Sequence, residues 1–384
     1  MNQSRIAVFV GTRPEAIKMA PVIKAMRETR DLQPVFVSTG QHREMLAQVC
    51  DVFDLRPDFD LGVMEPNQSL ALLSARLLAQ IDGVLSEVRP DFALVQGDTT
   101  SVLMAALACF YRRIPIGHVE AGLRTGNLSS PFPEELNRTL VTPIAGIHFA
   151  PTQTARRNLL AAGVEDSKIV VCGNTVIDAL LIEVQAQHRP EIAREIDAAL
   201  VPFLGDRWKA RSFTLVTGHR RENFGSGFEH ICAAICDVAR QFPDHHFVYP
   251  VHLNPNVLGP VRLLLGGVPN VHLIPPQPYR SFVALMGACR LILTDSGGVQ
   301  EEAPSLGKPV LVMRDTTERP EGVEAGTARL VGADREGIKA ALVQLLTDEN
   351  LYQEMATARN PYGDGLAAER IVASLRPLLA GGTG

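Results

Sequence analysis

The fold is decided by a pattern that first appears at residues 6–18, IAVFVGTRPEAIK, in a chain of 384 residues. Five consecutive apolar residues are followed by a glycine turn and by Pro14, which suits the first position of a helix. Similar short runs, each followed by a turn and a helix-period segment, recur along the chain, and this order is typical of parallel strands joined by crossover helices. The sequence therefore predicts an α/β fold.

The strands fall into two series, and each series predicts one doubly wound parallel sheet. The first series comprises residues 6–10, 34–38, 92–96, 114–118, 147–150 and 169–171. The second series comprises residues 213–217, 246–250, 271–274, 291–294, 310–313 and 328–331. We expect a first domain at residues 1–173, completed by a C-terminal helix within residues 365–384, and a second domain at residues 174–364.

Charge and apolar patterning exclude several classes of protein. The formal net charge of −5 gives no whole-chain attraction to nucleic acid or to an anionic membrane. The longest apolar stretch, residues 102–111, is about half of the roughly 20 residues that span a bilayer. Residues 6–10 are too few for a signal-peptide core, and the cysteines lack the spacing of a zinc site. We therefore expect a cytoplasmic protein without a metal.

The loop that follows residues 291–294 has the chemistry of a phosphate site. Ser296, Gly297 and Gly298 precede a helix-period segment, and bare amides at a helix start attract anions. Glu302 falls in the first turns of that helix, where a carboxylate can accept hydrogen bonds from a ribose diol. The pattern equally allows Ser296 to be an N-cap residue. The Gly-x-Gly-x-x-Gly fingerprint is absent after the first strand, which disfavours an ordinary NAD enzyme.

Two clusters of cations follow predicted strands. Arg13 and Lys18 lie near a helix start, where the helix dipole disfavours positive charge unless an anion is bound. His219 opens a second cluster, HRRE, at residues 219–222. Open parallel sheets bind ligands beyond the carboxyl ends of their strands, so we expect both loops to face one cleft between the domains. The alternative for the first pair is simple exposure to water.

Three acids complete the set of candidate catalytic residues. Asp98, Glu120 and Glu134 lie in the first domain, and carboxyl groups can divide acid and base duties when their surroundings separate their pKa values. Asp98 could instead cap the next helix, and Glu134 could be part of an ordinary helix start. Glu120 follows a strand with no helix behind it to cap, so it is the strongest single candidate.

With these motifs, the chain resembles the non-hydrolysing UDP-N-acetylglucosamine 2-epimerases of bacterial cell-envelope sugar synthesis. The resemblance covers nearly the whole chain and is based on residues 11–18, 41–45, 96–100, 118–125, 131–138, 173–178, 217–223, 295–302 and 317–321. It implies a fold similar to the GT-B glycosyltransferases, with two Rossmann-like domains and the active site between them. It also implies a UDP-sugar substrate, no cofactor and a homodimer.

The resemblance also assigns residues by motif. It implies that Asp98, Glu120 and Glu134 are the acid/base carboxylates and that Arg13, Lys18 and His219 surround the diphosphate and the sugar. It implies that the nucleotide contacts a further set: Gln277, Phe282, Ser296, Gly297, Gly298, Glu302 and Arg319. An allosteric substrate site is implied near Gln41, His42 and Arg43.

The implied reaction inverts carbon 2 of the sugar. That carbon is not adjacent to a carbonyl, so its hydrogen must be acidified before a side chain can remove it. Departure of UDP from carbon 1 does this and leaves a glycal, to which UDP then returns. Four alternatives remain open: a 2-epimerase for a uronic or 3-substituted UDP-sugar, a hydrolysing epimerase that releases N-acetylmannosamine, a GT-B glycosyltransferase, and a nucleotide-sugar sensor without turnover.

Overall fold

A computed structural model describes residues 3–40, 43–65 and 67–380 of the protein. The chain divides into two compact units, each built on one parallel sheet. The first unit contains the chain up to Ile182 together with the segment from Tyr362 onward, and the second unit is Glu183–Pro361. The prediction of two parallel-sheet α/β domains is confirmed.

The sheet of the first unit has seven parallel strands in the order β3-β2-β1-β4-β5-β6-β7. Their bounds are β1 (Ser4–Val10), β2 (Leu32–Ser38), β3 (Phe59–Asp60), β4 (Phe92–Gln96), β5 (Ile116–Val119), β6 (Ile147–Ala150) and β7 (Ile169–Val171). The side chains of residues 6–10 are at most 2% exposed. A strand that is covered by helices on both faces needs apolar residues at every position, which explains the continuous apolar run.

The connections between these strands are helical. They are α1 (Arg13–Arg27), α2 (Arg43–Phe53), α3 (Leu70–Val88), α4 (Thr100–Tyr111), α5 (Glu134–Val141) and α6 (Gln153–Ala161). After β7, α7 (Thr175–Ala186) leads toward the second unit, and a C-terminal helix (Ala367–Ala380) belongs to the first unit. Within the described residues, no helix combines the length and the apolar character needed to cross a bilayer.

The start of α7 is attached to the C-terminal segment rather than to the second unit. The Asn174 amide donates to the Tyr362 carbonyl at 2.7 Å, and the Ala368 amide donates to the Asp178 carboxylate at 2.8 Å. The compact units therefore separate at Ile182, nine residues after the expected position at residue 173.

The second unit has six parallel strands in the order β10-β9-β8-β11-β12-β13. They are β8 (Phe213–Thr217), β9 (His246–Pro250), β10 (Val271–Ile274), β11 (Leu291–Thr294), β12 (Val310–Val312) and β13 (Ala328–Leu330). Its helices are α8 (Pro190–Leu204), α9 (Ser226–Gln241), α10 (Pro255–Leu265), α11 (Tyr279–Ala288), α12 (Gly297–Glu302), α13 (Pro320–Glu324), α14 (Arg335–Thr347) and α15 (Glu349–Thr357).

Each sheet has one point at which the strand order reverses. In the first sheet this point lies between β1 and β4, and in the second it lies between β8 and β11. The connections that leave such a pair of strands run in opposite directions, so a crevice opens beyond their carboxyl ends. Arg13, Asp98, His219 and Ser296 each lie within three residues of the end of one of these four strands. The topology thus places predicted site residues at the crevice of each sheet.

Candidate active site

Glu120 lies at the centre of the residues gathered at the first crevice. It follows β5, and its backbone has φ 63°, a left-handed conformation that is unfavourable for a residue with a side chain. Its carboxylate pairs with the Lys18 ammonium and accepts from the Gln96 amide. Asn174 donates to the same carboxylate at 3.3 Å. Three side chains from separate parts of the chain therefore fix the position of this acid.

Lys18 contacts this carboxylate and is not turned away into water. Its side chain is 13% exposed and that of Glu120 is 12% exposed, so the ion pair is largely shielded from solvent. A shielded pair is stronger than a surface pair because water screens it less. The alternative of simple exposure to water is therefore wrong for Lys18. Arg13, the other predicted cation, is half-buried at the first residue of α1.

Asp98 lies beside the Glu120 cluster and pairs with an arginine. Its carboxylate is 2.9 Å from the Arg138 guanidinium. Burial raises the pKa of Asp98, Arg138 opposes this shift, and the nearby charges of Glu120 and Glu134 raise the pKa further. The structure thus brings the three predicted acids close enough to influence one another. The N-cap of α4 is Thr99, whose hydroxyl accepts from the Val102 amide, so Asp98 is not used as a cap.

Glu134 is the first residue of α5, so it does lie at a helix start, as the alternative interpretation of this residue also predicts. It is half-buried, and the next residue, Glu135, is fully buried. Glu135 has a structural role, because its carboxylate accepts from the amides of Thr125 and Gly126 at 3.1 and 3.0 Å. The two adjacent acids therefore differ in role. The charge of Glu134 raises the pKa of Asp98, whereas Glu135 holds the backbone at Thr125 and Gly126.

The loop after β1 is held by a buried acid that the sequence did not single out as a site residue. Glu15 is 3% exposed, and its carboxylate accepts from the amides of Gly11 and Thr12 at 2.5 and 3.2 Å. Burial raises its pKa to about 7 from the ordinary 4.5, and the two backbone hydrogen bonds oppose the shift. Glu15 thus fixes the turn that leads into Arg13 and titrates near neutral pH.

This titration predicts a pH-dependent stability. Because the folded pKa is raised, the stabilising contribution of Glu15 is complete below pH 4.5 and is lost as the pH rises through 7. Glutamine does not titrate, so Glu15→Gln does not lose this stability. Between pH 5 and pH 8 its free energy of unfolding should therefore rise relative to that of the parent by up to about 3 kcal/mol. Urea unfolding of both proteins at the two pH values measures the difference. If the free energy of unfolding changed with pH equally in both proteins, the raised pKa of Glu15 would be contradicted.

The predicted allosteric residues cannot be placed in the same way. Gln41 and His42 lie outside the described residues. Arg43 begins α2, and its backbone alone is described. The allosteric site therefore stays a prediction.

In the second unit, His219 and Ser296 follow the two strands that flank the crevice, β8 and β11. His219 is held by the fully buried Asp295, whose carboxylate accepts from the His219 and Arg220 amides at 2.8 Å each. Ser296 is the N-cap residue of α12, but its side chain makes no capping hydrogen bond. Its amide donates to the Thr294 hydroxyl at 2.9 Å. The Ser296 amide is therefore already paired within this loop.

A close approach between Gly297 and Arg319 shapes the same loop. A Cβ atom at Gly297 would lie 3.0 Å from the central carbon of the Arg319 guanidinium, so a larger residue would displace this group. Arg319 also donates to the carboxylates of Glu301 and Glu318 at 2.9 and 2.8 Å. Gly297 and Arg319, two of the residues that the resemblance assigns to the nucleotide, thus lie side by side, with two acids holding the arginine.

The remaining predicted nucleotide contacts lie on and around α11 and α12. Glu302 is 9% exposed, and its carboxylate accepts from the Tyr279 hydroxyl at 3.3 Å. Phe282 is half-buried on α11, and Gln277 precedes that helix and donates to the Pro275 carbonyl at 2.7 Å. Gly298 lies over the first turn of α12, where an added Cβ would be 3.7 Å from the Glu302 carboxylate. The hydrogen bond between Tyr279 and Glu302 thus joins α11 to α12 within the second unit.

Sequence reasoning assigned no role to several residues that organise both groups. Gln96 and Asn174 hold Glu120, Arg138 pairs with Asp98, and Asp295 anchors His219. Each lies within or beside a motif that the sequence had singled out, but the spacing of a motif does not show which side chains meet. Among the described residues, no group of three or more His, Cys, Asp and Glu side chains could hold a metal ion.

Comparison with known proteins gives one family over nearly the whole chain. The profile of a family described as UDP-N-acetylglucosamine 2-epimerase matches residues 24–376. The UDP-N-acetylglucosamine 2-epimerase of Escherichia coli K12 is 55% identical over 373 residues, which cover 97% of this chain and 98% of that protein.

Solved structures agree with this match. The crystal structure of UDP-GlcNAc 2-epimerase from Neisseria meningitidis, bound to UDP-GlcNAc, is 48% identical and has a TM-score of 0.89, with 98% of this chain and 100% of that chain covered. A glycosyltransferase from Rickettsia africae is 13% identical with a TM-score of 0.61 over 100% of both chains. This second likeness concerns the fold alone, and the predicted GT-B-like fold class is confirmed.

Proposed function

Because the chain belongs to the UDP-N-acetylglucosamine 2-epimerase family, whose members are isomerases, we propose that it interconverts UDP-N-acetylglucosamine and UDP-N-acetylmannosamine. The name of the Escherichia coli relative and the UDP-GlcNAc bound to the Neisseria meningitidis structure support this substrate. The observation on which the proposal depends is the cluster at the first crevice, where Lys18, Gln96 and Asn174 hold Glu120 beside Asp98.

In this proposal the reaction begins with elimination. The bond between carbon 1 and the phosphate oxygen breaks, and UDP leaves with the electron pair. A carboxylate takes the proton from carbon 2, and the electrons of that bond form the double bond of 2-acetamidoglucal. Re-addition reverses both events, with the proton delivered to the opposite face. Atoms and electrons balance without an oxidant, since no oxidised intermediate is formed.

The acid/base work is assigned to the three carboxyl groups of the first unit. The Lys18 ammonium favours the ionised form of Glu120, which suits a proton acceptor. Asp98 is half-buried, and this burial raises its pKa, which suits a group that holds a proton to deliver. Glu134 adds a third carboxylate near Asp98. Inversion through a planar carbon requires one group that accepts a proton and one that donates a proton, because one face of the sugar loses a proton and the other face gains one.

The nucleotide is assigned to the second unit. Arg319, His219 and the Ser296–Gly298 loop are assigned to the diphosphate, and Glu302, with Gln277 and Phe282, to the uridine and ribose. Stabilising the negative charge of the departing UDP is the largest energetic requirement. Loss of one preorganised hydrogen-bond donor to such a charge raises the activation barrier by roughly 3 to 4 kcal/mol. The proposal requires residues of both units, with Arg13 from the first, to reach the same substrate molecule.

The wider setting rests on the family resemblance. We propose that the product enters cell-envelope polysaccharide synthesis, that the enzyme works in the cytoplasm and that it is a homodimer. The allosteric role of Gln41, His42 and Arg43 belongs to the same group of proposals. The roles proposed for the acids of the first unit and for the nucleotide-binding residues of the second unit do not depend on the pathway, the location or the oligomeric state.

The proposed reaction is tested with UDP-N-acetylglucosamine as the only added substrate, in deuterium oxide, followed by NMR of the sugars. The manno epimer should appear without an acceptor, a metal or a nicotinamide, and deuterium should enter carbon 2 of both substrate and product. Free N-acetylmannosamine with UDP would indicate a hydrolysing epimerase, and consumption only with an acceptor would indicate a glycosyltransferase. An epimer without deuterium at carbon 2 would exclude elimination through an exchanging acid.

A further inference from the structure

Asp295 is a fully buried acid whose two oxygens have different surroundings. One oxygen, Oδ2, accepts from the His219 and Arg220 amides at 2.8 Å each and faces the Asn223 side-chain amide at 3.4 Å. The other oxygen, Oδ1, has no hydrogen-bond partner among the described residues, although His219 Nδ1 lies 3.3 Å from it. A buried carboxylate oxygen needs a donor, and His219 Nδ1 is the nitrogen that lies within ion-pair distance of it.

The imidazole ring of His219 is held so that its second nitrogen faces outward. Nδ1 is turned toward the buried Asp295, while 42% of the His219 side chain is exposed. The ring of His252, which follows β9, is stacked on it with centroids 5.7 Å apart and an interplanar angle of 23°. Because the two nitrogens lie on different edges of one rigid ring, Nε2 lies on the edge that points away from Asp295.

We propose that Asp295 is a positioning residue that holds a proton on Nδ1 of His219 and favours the imidazolium form, whose second proton, on Nε2, is donated to the departing diphosphate. The contact between Nε2 and the diphosphate rests on the proposed function, whereas the tautomer of His219 is a property of the free protein. The logic is that of a buried acid that orients a histidine and stabilises its cation without itself becoming protonated.

The charges around His219 make Asp295 necessary for this role. Burial lowers the pKa of His219, Asp295 opposes this shift, and Arg220 and His252 lower the pKa further. Tyr249, which donates to the Gly218 carbonyl at 3.2 Å, is a neutral neighbour because burial raises its pKa. Asp295 is thus the one group among these neighbours that favours the protonated ring.

The tautomer is tested first in the unaltered protein without substrate. Nitrogen-15 NMR of the histidine side chains, with the His219 signals identified by their absence from His219→Gln, reports which ring nitrogen is protonated. At a pH where His219 is neutral, we expect Nδ1 to have the shift of a protonated nitrogen and Nε2 that of an unprotonated one. The reverse pattern would overturn the proposal, whatever reaction the enzyme performs.

The second test replaces the acid by its amide. In Asp295→Asn the amide oxygen must accept the two backbone N–H groups, so the NH₂ group faces Nδ1, disfavours a proton there and thereby disfavours the imidazolium form. We expect the His219 pKa to fall by about one unit or more and kcat on the alkaline limb of the pH profile to fall at least about 10-fold, with a smaller change in KM. The alkaline limb of the pH profile should move to lower pH.

A purely structural role for Asp295 would give a different result. Asp295→Asn would then change KM or thermal stability while leaving the alkaline limb and the tautomer of His219 in place, and this outcome would overturn the proposal. If the protein does not epimerise UDP-N-acetylglucosamine at all, the kinetic readout is lost but the NMR result still decides the tautomer. Failure of the proposed function and failure of this inference are therefore distinguishable.

Discussion

Replacing Glu120 by glutamine is expected to reduce epimerisation by roughly 10²- to 10⁴-fold while the chain stays folded. The amide has nearly the same shape and can keep a hydrogen bond to Lys18, Gln96 or Asn174, but it cannot take a proton from carbon 2. The variant keeps the left-handed backbone of Glu120 at no new steric cost, because the side chain branches at the same place. Conversion of UDP-N-acetylglucosamine followed by NMR measures the loss, and circular dichroism checks the fold.

A matched control exists in the same unit. Glu165 also pairs with a lysine, Lys168, at 2.9 Å, but the Glu165 and Lys168 side chains are 68% and 48% exposed. Glu165→Gln therefore removes the same charge from a similar pair in water, where an exposed ion pair contributes little. We expect its activity to equal that of the parent. Unchanged turnover in Glu120→Gln, or an equal loss in both variants, would refute the assignment of Glu120.

Most of the fold could be predicted because burial on both faces of a parallel sheet imposes an apolar run. Twelve of the thirteen strands correspond to predicted runs, although β5 begins at Ile116 and not at residue 114. The exception is β3 (Phe59–Asp60), which pairs with β2 through two residues only and has one exposed side chain. A strand of that length has no periodicity to detect. The resemblance based on motifs is confirmed by the full-length match.

The candidate site could be predicted at the level of loops but not of contacts. Loops after strands were singled out because parallel strands end at the same edge, and Glu120, Asp98, His219 and Ser296 do lie there. The partners of Glu120 could not be predicted, since Asn174 is 54 residues away along the chain. The left-handed backbone at Glu120 was equally hidden, because a glutamate gives no local signal for φ 63°.

The second large loss of epimerisation is expected on replacement of Asp98, whose surroundings differ from those of Glu120. Glu120 is paired with a lysine, whereas Asp98 is held at 2.9 Å by Arg138 and has a raised pKa owing to burial. If Glu120 takes the proton on one face, Asp98 is placed to serve the other. Asp98→Asn is therefore expected to reduce epimerisation by roughly 10²-fold or more.

The sharper readout for Asp98→Asn is isotope exchange, because loss of one of two groups should stop the reaction halfway. In deuterium oxide we expect the variant to exchange carbon 2 of one epimer through the remaining carboxylate while forming little of the other epimer. Asp166→Asn is the matched control, since Asp166 pairs with Arg156 at 2.6 Å but is 60% exposed. It should exchange both epimers as the parent does. Normal exchange into both epimers by Asp98→Asn would remove Asp98 from proton transfer, leaving Glu134 as the partner of Glu120.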